Sequence, residues 1–170
     1  MRRYYASVEQ ELARVDALWE DRLYDEGNAI LESILMREPG YGKAHAYMGW
    51  YTYTQANDYE AAARSYELAL KFNPGFGGIY GNYTRVLMEL GRYDEAIDVA
   101  KRGLRVGGVE NSYLMAEIGR ILERAGRLAE SRVAYRDAYY LAEEEAVMMA
   151  MKAALTRVRR KRINRMVGIF

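Results

Sequence analysis

Asn57-Asp58-Tyr59-Glu60-Ala61-Ala62, Gly91-Arg92-Tyr93-Asp94-Glu95-Ala96 and Gly126-Arg127-Leu128-Ala129-Glu130-Ser131 are three versions of one phrase. Their last residues fall at 62, 96 and 131, steps of 34 and 35, and Tyr24-Asp25-Glu26-Gly27 lies on the same grid one step earlier. Self-similarity at that period is the mark of a repeat architecture, in which each unit rests on its neighbours rather than on one central core.

Between the phrases, apolar residues recur at intervals of three and four. Tyr47, Met48 and Tyr51 are followed by Ala62, Tyr66, Ala69 and Leu70; Tyr80, Tyr83 and Leu87 by Ala96, Val99, Ala100 and Leu104; Met115, Ile118 and Leu122 by Ser131, Tyr135 and Ala138. Each set is the stripe of an amphipathic helix, two per unit. The phrases are the turns. Gly91 and Gly126 suit the left-handed position that closes a helix, and Asp58 suits an N-cap. Ala62, Ala96 and Ser131 are small enough for two helices to approach closely. Pro39 and Pro74 end the second helices of the first two units, and Gly107-Gly108 ends that of the third. The spacing predicts helices over 5–22, 24–38, 42–56, 58–72, 77–90, 92–106, 111–125, 127–142 and 144–165.

The chain has 170 residues, 51% of them apolar, and no cysteine. A disulfide framework and any thiolate site are therefore excluded. No apolar run follows Arg2-Arg3, so no secretory signal is read, and no stretch is long enough to span a bilayer. The expectation is a cytoplasmic protein. The net charge of +1 conceals an asymmetry, because residues 146–170 hold seven basic side chains and no acid. Those outside this segment number 18 basic against 24 acidic, an acidic body with a basic tail.

Chemistry finds little footing. His45 is the single histidine and reads as a solvated residue at the start of a helix. Glu143-Glu144-Glu145 spreads around a helix and does not converge on a metal. No phosphate-binding glycine loop, nucleophile elbow or zinc motif is present. The expectation is no enzyme, no cofactor and no metal.

Met48-Gly49 with Pro74, Gly91 with Tyr93 and Ala96, and Gly119 with Gly126 and Ala138 resemble the marks of the tetratricopeptide-repeat family. The resemblance covers about 42–144 well and extends to 8–41 with departures: Gly27 stands where a small alanine is usual, and Gly103 and Gly108 where alanine and proline are common. It implies an all-α superhelical solenoid of about four helical hairpins: a degenerate repeat at 8–41, repeats at 42–76, 77–110 and 111–144, and a basic capping helix at 145–166, all in a single domain. Val147, Met148, Met151, Ala154, Leu155 and Val158 share the face that would cover the fourth unit.

The resemblance further implies a groove lined by the first helix of each hairpin, and a protein or peptide bound in it. Carried over by helical phase, the groove holds Trp19, Tyr47, Trp50, Tyr53, Asn82, Arg85, Glu89, Glu117, Arg120 and Arg124. Tyr47, Trp50 and Tyr53 supply rigid aromatic area, Asn82 suits a peptide amide, and Arg85 and Arg120 suit a carboxylate. Tyrosine is abundant, with 16 residues, so packing competes evenly with ligand contact as the role of Trp50 and Tyr53. The family's clamp for the carboxylate tail of heat-shock chaperones would fall on Ala46, Trp50, Asn82, Tyr113 and Glu117; only Asn82 matches, so that partner is rejected.

Two rivals to the adaptor reading stand. One is a chaperone similar to those of type III secretion translocators. The other is an anionic surface or nucleic acid bound by Arg157, Arg159, Arg160, Lys161, Arg162 and Arg165. The simpler view of these cations is that they complement a helix C-terminus or lie against the acidic body, and no aromatic interleaves them as single-strand binding requires. Nucleic acid is therefore disfavoured. Met166-Val167-Gly168-Ile169-Phe170 is an apolar end and a candidate for self-association.

Overall fold

The computed structural model describes residues 2–168, which form nine helices and no strand among them: α1 (Arg2–Glu20), α2 (Tyr24–Arg37), α3 (Gly42–Thr54), α4 (Tyr59–Phe72), α5 (Gly78–Glu89), α6 (Tyr93–Val106), α7 (Asn111–Arg124), α8 (Leu128–Leu141) and α9 (Glu145–Met166). Every helix expected from periodicity is present within three residues of its expected ends. Ile169 and Phe170 of the apolar end lie outside the described residues.

The turns follow from their residues. Gly91 and Gly126 have φ of 72° and 74°, the left-handed region where a Cβ is penalised. Asn57 takes that role in the second unit at φ 54°, which asparagine tolerates better than most side chains. Asp58 Oδ1 then accepts from the Ala61 amide at 2.8 Å, capping α4. The α2 and α4 helices stop two residues short of Pro39 and Pro74.

The helices fall into two compact units, Met1–Ile79 and Tyr80–Phe170. In the first, Val8, Leu12 and Val15 of α1 meet Leu31 and Ile34 of α2 and Ala44 of α3. Burying such side chains contributes about 1.5–3 kcal/mol each. Tyr66 of α4 lays its ring on the backbone of α3, where a Cβ added to Gly49 would lie 2.9 Å from Tyr66 Cζ.

The second unit repeats the device. Tyr135 of α8 lies on Gly119 of α7, and Ser131 Oγ donates to the Gly119 carbonyl at 2.8 Å. On the end of this hairpin sits α9. Met151, Ala154 and Val158 join Ala116, Tyr135 and Ala138 in one buried cluster, with Leu155 against its edge. Val147 and Met148, also expected on that face, are half-buried.

Gly119→Ala tests the close approach directly. Its Cβ would stand 2.7 Å from Tyr135 Cδ1, inside contact distance. The ring is wedged by α9, so we expect a loss of about 1–3 kcal/mol in chemical denaturation; a loss below a few tenths would show that the helices simply part.

Candidate partner-binding surfaces

In the second unit, α5, α7 and α9 enclose an open cleft of about 440 Å³. Helical spacing of three and four sets its walls: Arg85, Met88 and Glu89 from α5, Arg120, Glu123 and Arg124 from α7, Arg157 and Lys161 from α9. Arg120 Nη1 donates to Glu117 Oε1 at 2.7 Å, Arg85 Nη2 lies 3.6 Å from the same oxygen, and Arg124 Nη1 donates to Glu89 Oε1 at 2.9 Å. Arg85 Nη2 also donates to the Tyr113 hydroxyl at 2.7 Å. Burial and the Glu117 charge raise the Tyr113 phenol above its ordinary value, which keeps it protonated.

At the α7–α9 wall Glu123 receives four donors. Arg157 grips it bidentately along one edge of its guanidinium, Nε to Oε1 at 2.9 Å and Nη2 to Oε2 at 2.8 Å. Lys161 Nζ lies 2.8 Å from Oε1, and the Tyr135 hydroxyl donates to Oε2 at 3.1 Å. These bonds to the charged form outweigh burial and push the Glu123 carboxyl down to about 2. Burial and the same carboxylate push the Tyr135 phenol up to about 12.

The first unit presents aromatic rings instead. Trp19 of α1 stacks on Trp50 at 4.6 Å, on Tyr47 at 5.6 Å and on Tyr51 at 6.3 Å between centroids. Its indole lies over Gly27, where a Cβ would come within 2.4 Å of Nε1. Tyr47 donates to Asp16 Oδ2 at 3.0 Å, and burial together with that carboxylate pushes its phenol up to about 12. Tyr53 packs on Tyr59 at 5.8 Å between centroids.

Residues 53–108 match the family model for the tetratricopeptide repeat. No curated protein matches the chain. Among solved structures, PilF of Pseudomonas aeruginosa superposes with a TM-score of 0.77 at 18% identity, over 91% of this chain and 70% of that one. MamA (AMB-1) gives 0.69 at 26% identity, over 79% and 78%. The Arabidopsis OM64 TPR domain gives 0.61 at 20%, over 71% and 95%. Residues 53–108 are thus a tetratricopeptide-repeat segment, and the chain has the fold of these structures.

In this repeat protein the residues expected to face a partner divide into distinct fates. Arg120 and Arg124 line the cleft with side chains 47% exposed. Asn82 is half-buried on α5. Glu117 is not a groove residue: its side chain is 1% exposed, because Arg85, Arg120 and Tyr113 close over it. Its Oε2 is buried with no hydrogen-bond partner among the described residues, a costly arrangement. Tyr47 and Trp50 are half-buried and already engaged by Trp19, so packing holds them whatever else they touch.

The basic tail of the repeat protein is likewise divided. Arg157 and Lys161 are spent on Glu123, and Arg165 Nη1 donates to the Gly126 carbonyl at 3.2 Å. Arg159 and Arg160 are exposed and make no ion pair among the described residues. His45 is buried rather than solvated; Nε2 lies 2.7 Å from the Pro39 carbonyl and therefore donates to it, with the ring stacked on Phe72. Glu123 escaped the sequence reading because an acid on a helix face gives no sign of what caps it. The one available signal was its spacing of 34 residues from Arg157, the repeat length itself.

Glu123 has a lowered folded pKa, so its stabilisation is complete above the ordinary carboxylate range and is lost as pH falls through about 2. Discounted for the exposure of Arg157 and Lys161, it is on the order of 2 kcal/mol at neutral pH. Glu123→Gln is expected to lower stability by that amount at pH 7, with the deficit shrinking as unfolding is measured at successively lower pH. A deficit independent of pH would assign the effect to shape rather than charge.

Proposed function

We propose that the chain is a non-catalytic adaptor that binds a partner protein or peptide through first helices of its repeats. The repeat fold is in general a scaffold for protein–protein interaction, which supplies the class of activity. The observation that carries the location is the α5–α7–α9 cleft. Arg120 and Arg124 each commit only Nη1 to an internal carboxylate, yet a guanidinium has five N–H donors. The remaining donors point from half-exposed side chains and are not consumed by the fold. The aromatic face of the first unit is the second candidate surface, tested at Tyr53 because Tyr47 and Trp50 cannot be removed without loosening Trp19.

The basic tail is the weaker reading. Three of its six cations hold the protein's own groups, leaving Arg159, Arg160 and Arg162 for an outside anion. No ring stands among the residues that line the cleft.

Affinity capture from native cells with wild type, Arg124→Glu and Tyr53→Ala tests the proposal. We expect a partner retained by wild type and lost from one variant, each variant first shown folded by circular dichroism. A set of captured proteins identical for all three baits would overturn the assignment to either surface.

A further inference from the structure

The lining of the cleft carries five basic side chains, Arg85, Arg120, Arg124, Arg157 and Lys161, against two carboxylates, Glu89 and Glu123. Its wall is therefore cationic even though the whole chain is nearly neutral at +1. The two lining carboxylates show what the cations accept. Glu89 sits on Arg124 at 2.9 Å and Glu123 between Arg157 and Lys161 at 2.8 Å each, so side-chain carboxylates are seated in the cleft by the protein itself. Neither occupant saturates its cation. Arg124 uses Nη1 alone and is 47% exposed, and Lys161 uses one contact and is 52% exposed. Arg157 by contrast meets both oxygens of Glu123 along one edge of its guanidinium, and its Nη2 also reaches the Tyr135 hydroxyl at 3.3 Å.

We propose that the cleft recognises an acidic segment of the partner protein, whose side-chain carboxylates are taken by Arg124 and Lys161, with Arg120 assisting, in exchange with the internal Glu89. This rests on the interaction reading above and names its partner class. Glu89 is the exchangeable member because it is a half-exposed carboxylate held by a single contact, whereas Glu123 has four donors. The alternating signs along the wall suit a protein segment with carboxylates at intervals. They are a poor match for a nucleic-acid backbone, whose unbroken phosphates would meet Glu89 and Glu123 and find no ring to stack on. A terminal carboxylate is not required, since the cations are spread over α7 and α9 rather than focused on one point.

The probes are a fluorescent polyglutamate peptide with both termini blocked, its polyglutamine counterpart and a single-stranded oligothymidylate, titrated against the full chain by anisotropy. We expect polyglutamate to bind with an affinity that falls as salt rises, and polyglutamine not to bind. Arg124→Gln with Lys161→Gln should weaken polyglutamate about tenfold. Glu89→Gln should tighten it, and Arg160→Gln, outside the cleft, should leave it unchanged. Arg124→Gln alone is read if the double variant melts early. The proposal is overturned by absence of polyglutamate binding, by equal losses in the Arg160 and cleft variants, by weakened binding in Glu89→Gln, or by tighter binding of oligothymidylate. A captured partner that ignores the Arg124 and Lys161 variants would remove the acidic class and keep the adaptor reading. Polyglutamate binding with no captured partner would do the reverse.

Discussion

An aromatic ring laid on a helix that has no side chain at that point is the contact from which the rest of this molecule follows. Tyr66 rests on Gly49 and Tyr135 on Gly119, with ring carbons 2.9 Å and 2.7 Å from where a Cβ would be. Only a bare backbone lets the partner helix come so close, and only a flat ring fills the space without a void. The close approach fixes the angle of each hairpin, and the angle determines which residues of α7 turn toward α9. Ser131 secures the same spot with a hydrogen bond to the Gly119 carbonyl, so geometry and polar satisfaction agree.

The charged cleft is a consequence of this geometry. Tyr135 is held by its ring on one side and carries its hydroxyl to Glu123 on the other. A residue that belongs to the apolar core thus also positions a carboxylate for Arg157 and Lys161. Four donors on one carboxylate compensate the cost of bringing it out of water. Glu117, two turns earlier on α7, has fewer partners and leaves one oxygen bare, so the two buried acids are satisfied to very different degrees.

What could be read from sequence and what could not follow the reach of the forces involved. Helices, turns and the N-cap at Asp58 depend on residues within a few positions of each other, and their signals survive in a single chain. The departures at Gly27 and Gly103 looked like degeneration of the repeat, yet each marks a contact across helices: Trp19 occupies the place of a Cβ at Gly27, and Tyr80 that at Gly103. Helical phase put Glu117 and Arg120 on one face, but phase does not say which of two neighbours is covered. His45 was misread for the same reason, since Phe72 and the Pro39 carbonyl enclose it from distant positions in the chain. The tail was legible in charge and not in address.

That address restricts how this architecture can grow. A repeat stack sealed only by apolar surface accepts an extra hairpin at its end, because any similar hairpin offers the next one the same face. Here α9 is keyed to one hairpin by Glu123 and Tyr135 as well as by Met151 and Val158. A duplicated unit inserted after α8 would separate the key from its lock unless it brought its own copy of both residues. Lengthening is therefore open before α7 and closed between α8 and α9, so the end of the repeat run is written in electrostatics rather than in the repeat.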